Sequence, residues 1–135
     1  MKERLYGFLE GSTLEDSRRI GYVAIRIILD LAEDAIKGGI DIMLEAPFNH
    51  EDNLERFRDW ADSGVDVRVI VCSVDEIERE RRHRMRPRHH SHHDEERVFA
   101  TDTYDYSAMP DPKLFLDTDT SIESSVKTVL DFLRK

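Results

Sequence analysis

Three short apolar stretches alternate with longer segments of helical periodicity, and this alternation most constrains the fold. The stretches are Ile40–Ala46, Val65–Ser73 and Lys113–Thr118. All three are predicted to be strands because apolar and β-branched residues dominate them and turn residues bound them. Strands that alternate with helices form parallel sheets with helices on both faces. The sequence therefore predicts an α/β fold with three layers, α/β/α, and three strands.

The helical segments carry start signals and apolar faces. Capping boxes are expected where a hydroxyl residue precedes an acidic residue by three positions. The candidate pairs are Ser12 with Glu15, Ser73 with Glu76 and Thr120 with Glu123. Helical spacing places two sets of apolar side chains on the core side, namely Leu54, Phe57 and Trp60 in one helix and Ile122, Val126, Val129, Leu130 and Leu133 in the last.

Length and charge limit the function classes. A chain of 135 residues is expected to form one domain, and its net charge of −9 argues against general nucleic-acid or acidic-membrane binding. The single cysteine, Cys72, excludes an internal disulfide and is expected in the core. The longest apolar stretch is too short to span a bilayer, and no secretory signal precedes it. We therefore expect a cytoplasmic protein.

The segment Gly7–Thr13, "GFLEGST", is similar to a phosphate-binding loop without matching one. The P-loop pattern, G-x-x-x-x-G-K-[ST], needs a lysine and one more residue between its glycines, and it must follow a buried strand. Here a charged segment precedes it. The segment is therefore predicted to be a turn between two helices.

Acidic residues stand at two predicted strand ends. Ligands of open α/β sheets gather beyond the carboxyl ends of the strands, where Glu45 and Asp117 are candidates for metal or hydroxyl contacts. The alternative is that each carboxylate caps the turn or helix that follows it.

The segment "RERRHRMRPRHHSHHDEER" concentrates seven arginines and five of the six histidines between Arg79 and Arg97. Guanidinium groups bind phosphate in a bidentate manner, so a basic segment in an acidic protein suits a lid over a phosphorylated ligand. A solvated helix with pairs such as Glu78 and Arg82 is the alternative interpretation. The histidines also allow a metal site, although their spacing matches no standard zinc motif.

The order of these elements resembles the small P-loop kinases, a group that includes zeta-toxin-like kinases, chloramphenicol phosphotransferase and the kinase domain of polynucleotide kinase. The resemblance covers essentially the whole chain. It rests on a helix that ends in Gly-Gly, the strands "IDIMLEAPF" and "VDVRVIVCS", the arginine-rich segment, and "LFLDTD" before the last helix.

The resemblance implies ATP and Mg²⁺ as cofactors, with transfer of a γ-phosphoryl group to a hydroxyl of a small molecule or nucleotide. It assigns Glu45 to Mg²⁺ and catalysis. It assigns Arg79, Arg82 and Arg86 to the nucleotide phosphates, the last two also to catalysis. It implies that Asp117 and Thr118 lie beside the nucleotide. It also implies that Lys2, Phe48 and Asn49 contact the substrate, and that residues 79–110 form a lid-like region.

The chain departs from this family at its N-terminal side. The family's first two strands, its Walker A loop and an aspartate precede the matching elements, and Met1 falls just past that aspartate. We therefore expect residues 1–135 to be one kinase-like domain without its Walker A unit, a truncated or degenerate form with little activity. Loss of a central strand leaves unpaired strand edges, so we expect marginal stability or a homo-oligomer. The alternative is a non-catalytic module whose Arg/His segment binds an anionic partner or a metal.

Overall fold

The computed structural model describes residues 1–11, 13–85, 87, 89 and 105–135. These residues form a mixed α/β structure of five α-helices and one small parallel sheet. In chain order the elements are α1 (Lys2–Phe8), α2 (Leu14–Lys37), α3 (Glu51–Asp62), β1 (Val69–Ser73), α4 (Glu76–Met85), β2 (Lys113–Asp117) and α5 (Ile122–Leu133). They fall into two compact units, of which the first includes the described residues among 1–48 together with 87 and 89, and the second includes residues 49–85 and 105–135. None of the described helices is long and apolar enough to cross a bilayer.

In the first unit α1 packs against α2. The ring of Tyr6 is 2% exposed, and a Cβ added at Gly11 would lie 2.7 Å from it, so only glycine fits there. The Nζ atom of Lys2 donates to Oγ of Ser17 at 2.7 Å, and Ser17 is fully buried. A partly buried hydrogen bond thus holds the first helix to the second, and Tyr6 packs against the turn between them.

The turn between these helices confirms the interpretation of "GFLEGST" as a helix connection. Thr13, rather than Ser12, is the N-cap of α2, and its hydroxyl accepts from the amide of Asp16 while the Asp16 carboxylate accepts from the amide of Thr13. The predicted capping box is therefore present but shifted by one residue. Ser12 lies outside the described residues.

The prediction of a strand at Ile40–Ala46 is wrong. These residues have no regular secondary structure, and Ile40, Ile42 and Met43 are 60%, 39% and 89% exposed. A strand exists only when a neighbour satisfies its backbone N–H and C=O groups, and no described strand pairs with this segment. The β-like composition of the segment is therefore not realised.

In the second unit the α3 side chains of Leu54, Phe57 and Trp60 are buried, as predicted. Met109, which lies outside α3, is buried as well. The rings of Phe57 and Trp60 meet edge to face, with centroids 5.4 Å apart. Beyond α3, β1 pairs in parallel with β2 in a register that sets Val69 opposite Lys113 and Ser73 opposite Asp117. The observed β1 is shorter than the predicted strand, and the sheet has two strands rather than three.

Two burial predictions for the second unit are also wrong. Cys72 is exposed on β1 because a two-stranded sheet covers little of its own surface. No residue of α5 is buried, although its apolar side chains were expected on the core side.

We expect Leu29→Ala to destabilise the fold by about 3 kcal/mol, because Leu29 is 1% exposed and its removal leaves a cavity. Leu31→Ala on the same helix is the matched control. Since Leu31 is 57% exposed, its truncation should change the free energy of unfolding by less than about 0.5 kcal/mol. Urea denaturation followed by circular dichroism measures both values, and equal losses would contradict this assignment of the core.

Candidate functional site

The carboxyl ends of β1 and β2 are joined by one residue. Thr118 follows β2 directly, and both its amide and its hydroxyl donate to the carbonyl oxygen of Ser73, at 2.7 and 2.8 Å. Because the strands are parallel and in register, their ends meet at the same edge. The candidate site is built at this edge of the sheet.

Helix α4 begins immediately beyond β1. The Oδ1 atom of Asp75 accepts from the amides of Ile77 and Glu78 at 2.8 and 3.0 Å and so caps the first turn. The capping box predicted for Ser73 and Glu76 is therefore replaced by an aspartate cap. This cap orients α4 so that its next turn faces the residues after β2.

Arg82 connects α4 to the end of β2. Its Nη2 atom donates to the carbonyl oxygen of Thr118 at 3.0 Å, and its Nη1 atom donates to the Thr118 hydroxyl at 3.2 Å. Its Nε atom donates to Glu78 at 2.7 Å, and the carboxylate of Asp119 lies 3.7 Å from Nη2. The side chain of Arg82 is 43% exposed.

Glu78 holds two arginines at once. Its carboxylate accepts from Arg81 at 2.5 and 2.6 Å and from Arg82 at 2.7 Å. Hydrogen bonds from Arg81, and then from Arg82, lower the pKa of Glu78 from its ordinary value of 4.5 to about 2. The Glu78–Arg82 pair confirms the interpretation of α4 as a helix with i,i+4 ion pairs.

The other described arginines of α4 form ion pairs with glutamates of their own helix. Arg79 lies 3.9 Å from Glu76, and Arg84 lies 2.5 Å from Glu80. Arg82 is thus the α4 arginine that bonds outside its helix within the described part of the chain. It is the cation best placed to meet a ligand at the edge of the sheet.

Asp117 shapes the turn beside this cluster. Its Oδ1 atom accepts from the amide of Asp119 at 2.9 Å, while its side chain stays exposed. The predicted site residues Arg82, Asp117 and Thr118 are therefore brought together. Sequence reasoning missed Ser73 and Asp119, although each lies beside a strand end that had been singled out.

Other predicted site residues lie elsewhere. Lys2, Glu45 and Phe48 belong to the first unit, where Lys2 bonds to Ser17 and Glu45 is exposed. Asn49 is exposed at the start of the second unit. Arg86 and most of the predicted histidine cluster lie outside the described residues, as does most of the predicted lid. Within the described part of the chain, no group of three or more His, Cys, Asp or Glu side chains could hold a metal ion.

The depressed pKa of Glu78 predicts a pH dependence of α4. Because the pKa is lower in the folded protein, the stabilisation is fully present above about pH 4.5 and is lost as the pH falls through about 2. NMR titration of the Glu78 carboxyl group should give a midpoint near 2. Arg81→Ala should raise that midpoint, whereas Arg84→Ala should leave it unchanged. A wild-type midpoint near 4.5 would exclude the shared carboxylate.

Comparison with known proteins identifies a family for most of the chain. A family model described as an AAA domain matches residues 1–104, which is most of the chain. Searches of curated proteins and of solved structures gave no match. The mixed α/β structure with its small parallel sheet is consistent with an incomplete P-loop NTPase-like fold. The chain therefore belongs to the AAA domain family, a group of P-loop NTPase-like domains that includes kinases.

Proposed function

We propose that this chain is a kinase-like nucleotide-binding domain, related to enzymes that transfer the γ-phosphoryl group of ATP to a hydroxyl of a small molecule or nucleotide. The observation that carries the proposal is the position of Arg82, held by Thr118 at the carboxyl edge of a parallel sheet. Ligands of such sheets bind at this edge. Arginine is also the side chain best suited to phosphate, because its fork of donors matches two phosphate oxygens.

A phosphate group could replace the present hydrogen-bond acceptors of Arg82. Two of its bonds go to the uncharged oxygens of Thr118, and bonds from a guanidinium group to phosphate, in which both partners are charged, are stronger than these. The guanidinium group is part exposed, so a ligand could approach without unfolding α4. Arg79 lies one helical turn earlier and, among the described residues, has a single long ion pair with Glu76, so we propose it as a second phosphate contact.

The fit of the chain to a whole ATP molecule is incomplete. The sequence contains no G-x-x-x-x-G-K-[ST] loop, and in "GFLEGST" Gly11 faces Tyr6 while the Thr13 hydroxyl bonds to Asp16. Glu45, the proposed Mg²⁺ ligand, has no cluster of other ligands among the described residues. The described residues therefore do not fit a Mg²⁺ site.

What the chain itself can do is bind and neutralise charge. Arg82 and Arg79 would hold phosphate oxygens, while Thr118 and Asp117 would border the rest of the nucleotide. In phosphoryl transfer, positioning and charge neutralisation supply most of the catalysis. Without a phosphate-binding loop, we expect residues 1–135 to bind nucleotide weakly and to show negligible turnover.

Isothermal titration calorimetry with ATP tests the proposal. Arg82→Ala should weaken ATP binding about tenfold or more, because a charge-assisted hydrogen bond contributes about 1.5–3 kcal/mol. Arg84→Ala is the matched control, since Arg84 lies on the same helix and its partner among the described residues is Glu80. It should change the affinity less than twofold.

Two outcomes would contradict the proposal, and a third would contradict only the expected inactivity. An equal loss of ATP affinity in the two variants would mean that ATP binding depends only on the net charge of α4. Equal binding of inorganic phosphate or Zn²⁺ with no preference for ATP would favour the alternative, a non-catalytic module that uses the Arg/His segment. Robust ATP turnover that is lost when Arg82 and Arg86 are changed together would overturn the expected inactivity.

A further inference from the structure

Helix α5 carries an apolar stripe that its own chain does not cover. Ile122, Val126, Leu130 and Leu133 recur at spacings of four, four and three residues and so share one side of the helix. They are 78%, 50%, 43% and 44% exposed, and no residue of α5 is buried. An amphipathic helix whose apolar side stays open has a surface suited to a partner.

Strand β1 is open on one edge. Val69 donates its amide to Pro112, and the carbonyl of Ser73 accepts from Thr118, so these two residues direct their backbone groups toward β2. Backbone groups alternate along a strand, which turns those of Ile70 and Cys72 to the other edge. No described strand pairs with that edge. A sheet of only two strands is marginally stable and can accept another strand.

The axis of α5 and the strands have related directions. Helix α5 starts just beyond the carboxyl end of β2, and the carbonyls of Phe132 and Leu133 accept from Nη1 of Arg68 at 3.1 and 2.7 Å. Arg68 lies immediately before β1. The helix therefore runs antiparallel to both strands and ends beside the start of β1.

We propose that a second copy of this chain covers both features. A two-fold axis perpendicular to the sheet at Val71 places β1 antiparallel to its own copy and forms a sheet of four strands. In this register Ile70 of one copy pairs with Cys72 of the other, so both outward-facing residues gain partners. The same axis sets the two α5 helices antiparallel. A two-fold interface of this kind is self-complementary.

The charges at the ends of α5 favour this occupant over others. Glu123 lies in the first turn, and Arg134 and Lys135 follow the last. Antiparallel pairing of the helices brings Glu123 of one copy beside the basic end of the other. The net charge of −9 per chain opposes association, but the stripe is flanked by charges of both signs. This inference does not depend on nucleotide binding.

Charge reversal tests the helix pairing. Sedimentation equilibrium of the whole chain between about 1 and 300 μM should detect a dimer. Glu123→Arg and Arg134→Glu should each weaken the dimer about tenfold, and the double variant should restore the wild-type affinity. Glu15→Arg and Arg18→Glu on exposed positions of α2 are matched controls and should have no effect. A monomer throughout this range, or a dimer unaffected by both single reversals, overturns the proposal.

Hydrogen exchange tests the strand pairing independently. The amides of Ile70 and Cys72 should be protected at high protein concentration and should exchange faster on dilution or in Glu123→Arg. The amide of Val71 faces β2 and should be protected under all these conditions. Protection of Ile70 and Cys72 in the monomer would mean that something other than a second copy covers the edge, and would overturn the proposal.

Discussion

The parallel pairing of β1 with β2 is the contact on which the rest of the second unit depends. It aligns Ser73 with Asp117, which brings Thr118 within reach of the Ser73 carbonyl. With Thr118 fixed there, Arg82 finds two acceptors outside its own helix. A shift of one residue in the register would separate these groups and place each side chain of β2 on the opposite face. The candidate site is thus a direct consequence of strand register.

Local sequence patterns predicted the positions of most helices and strands, because these elements depend largely on residues that are close along the chain. Helix α3 buries Leu54, Phe57 and Trp60 as its spacing indicates. The caps were less predictable, since several polar residues near each helix start can accept the same amides. Ser121, rather than Thr120, caps α5 through the amide of Ser124. Thr120 instead contacts Asp117 and Ser125.

The features that sequence could not predict all depend on distant partners. Ile40–Ala46 has the composition of a strand, but a strand needs a neighbour that no local pattern supplies. The apolar spacing of α5 predicts which side of the helix is available for burial. It does not predict what packs against that side. The candidate site also depends on contacts between residues that are distant in the sequence. Arg82 and Thr118 could be named from the sequence, while the bonds between them required the fold. The roles of Lys2, Phe48, Asn49 and Glu45 stay predictions.

The shared carboxylate of Glu78 has a consequence for how the site could respond to a ligand. Arg81 keeps two bonds to Glu78 even when Arg82 turns away. Departure of Arg82 therefore leaves Glu78 paired with Arg81, although Asp119 loses the cation beside it. The rearrangement involves rotamers of one part-exposed side chain, and it first breaks the hydrogen bonds from Arg82 to Glu78 and Thr118. Ligand capture by Arg82 would then need a side-chain rotation rather than a movement of the helix.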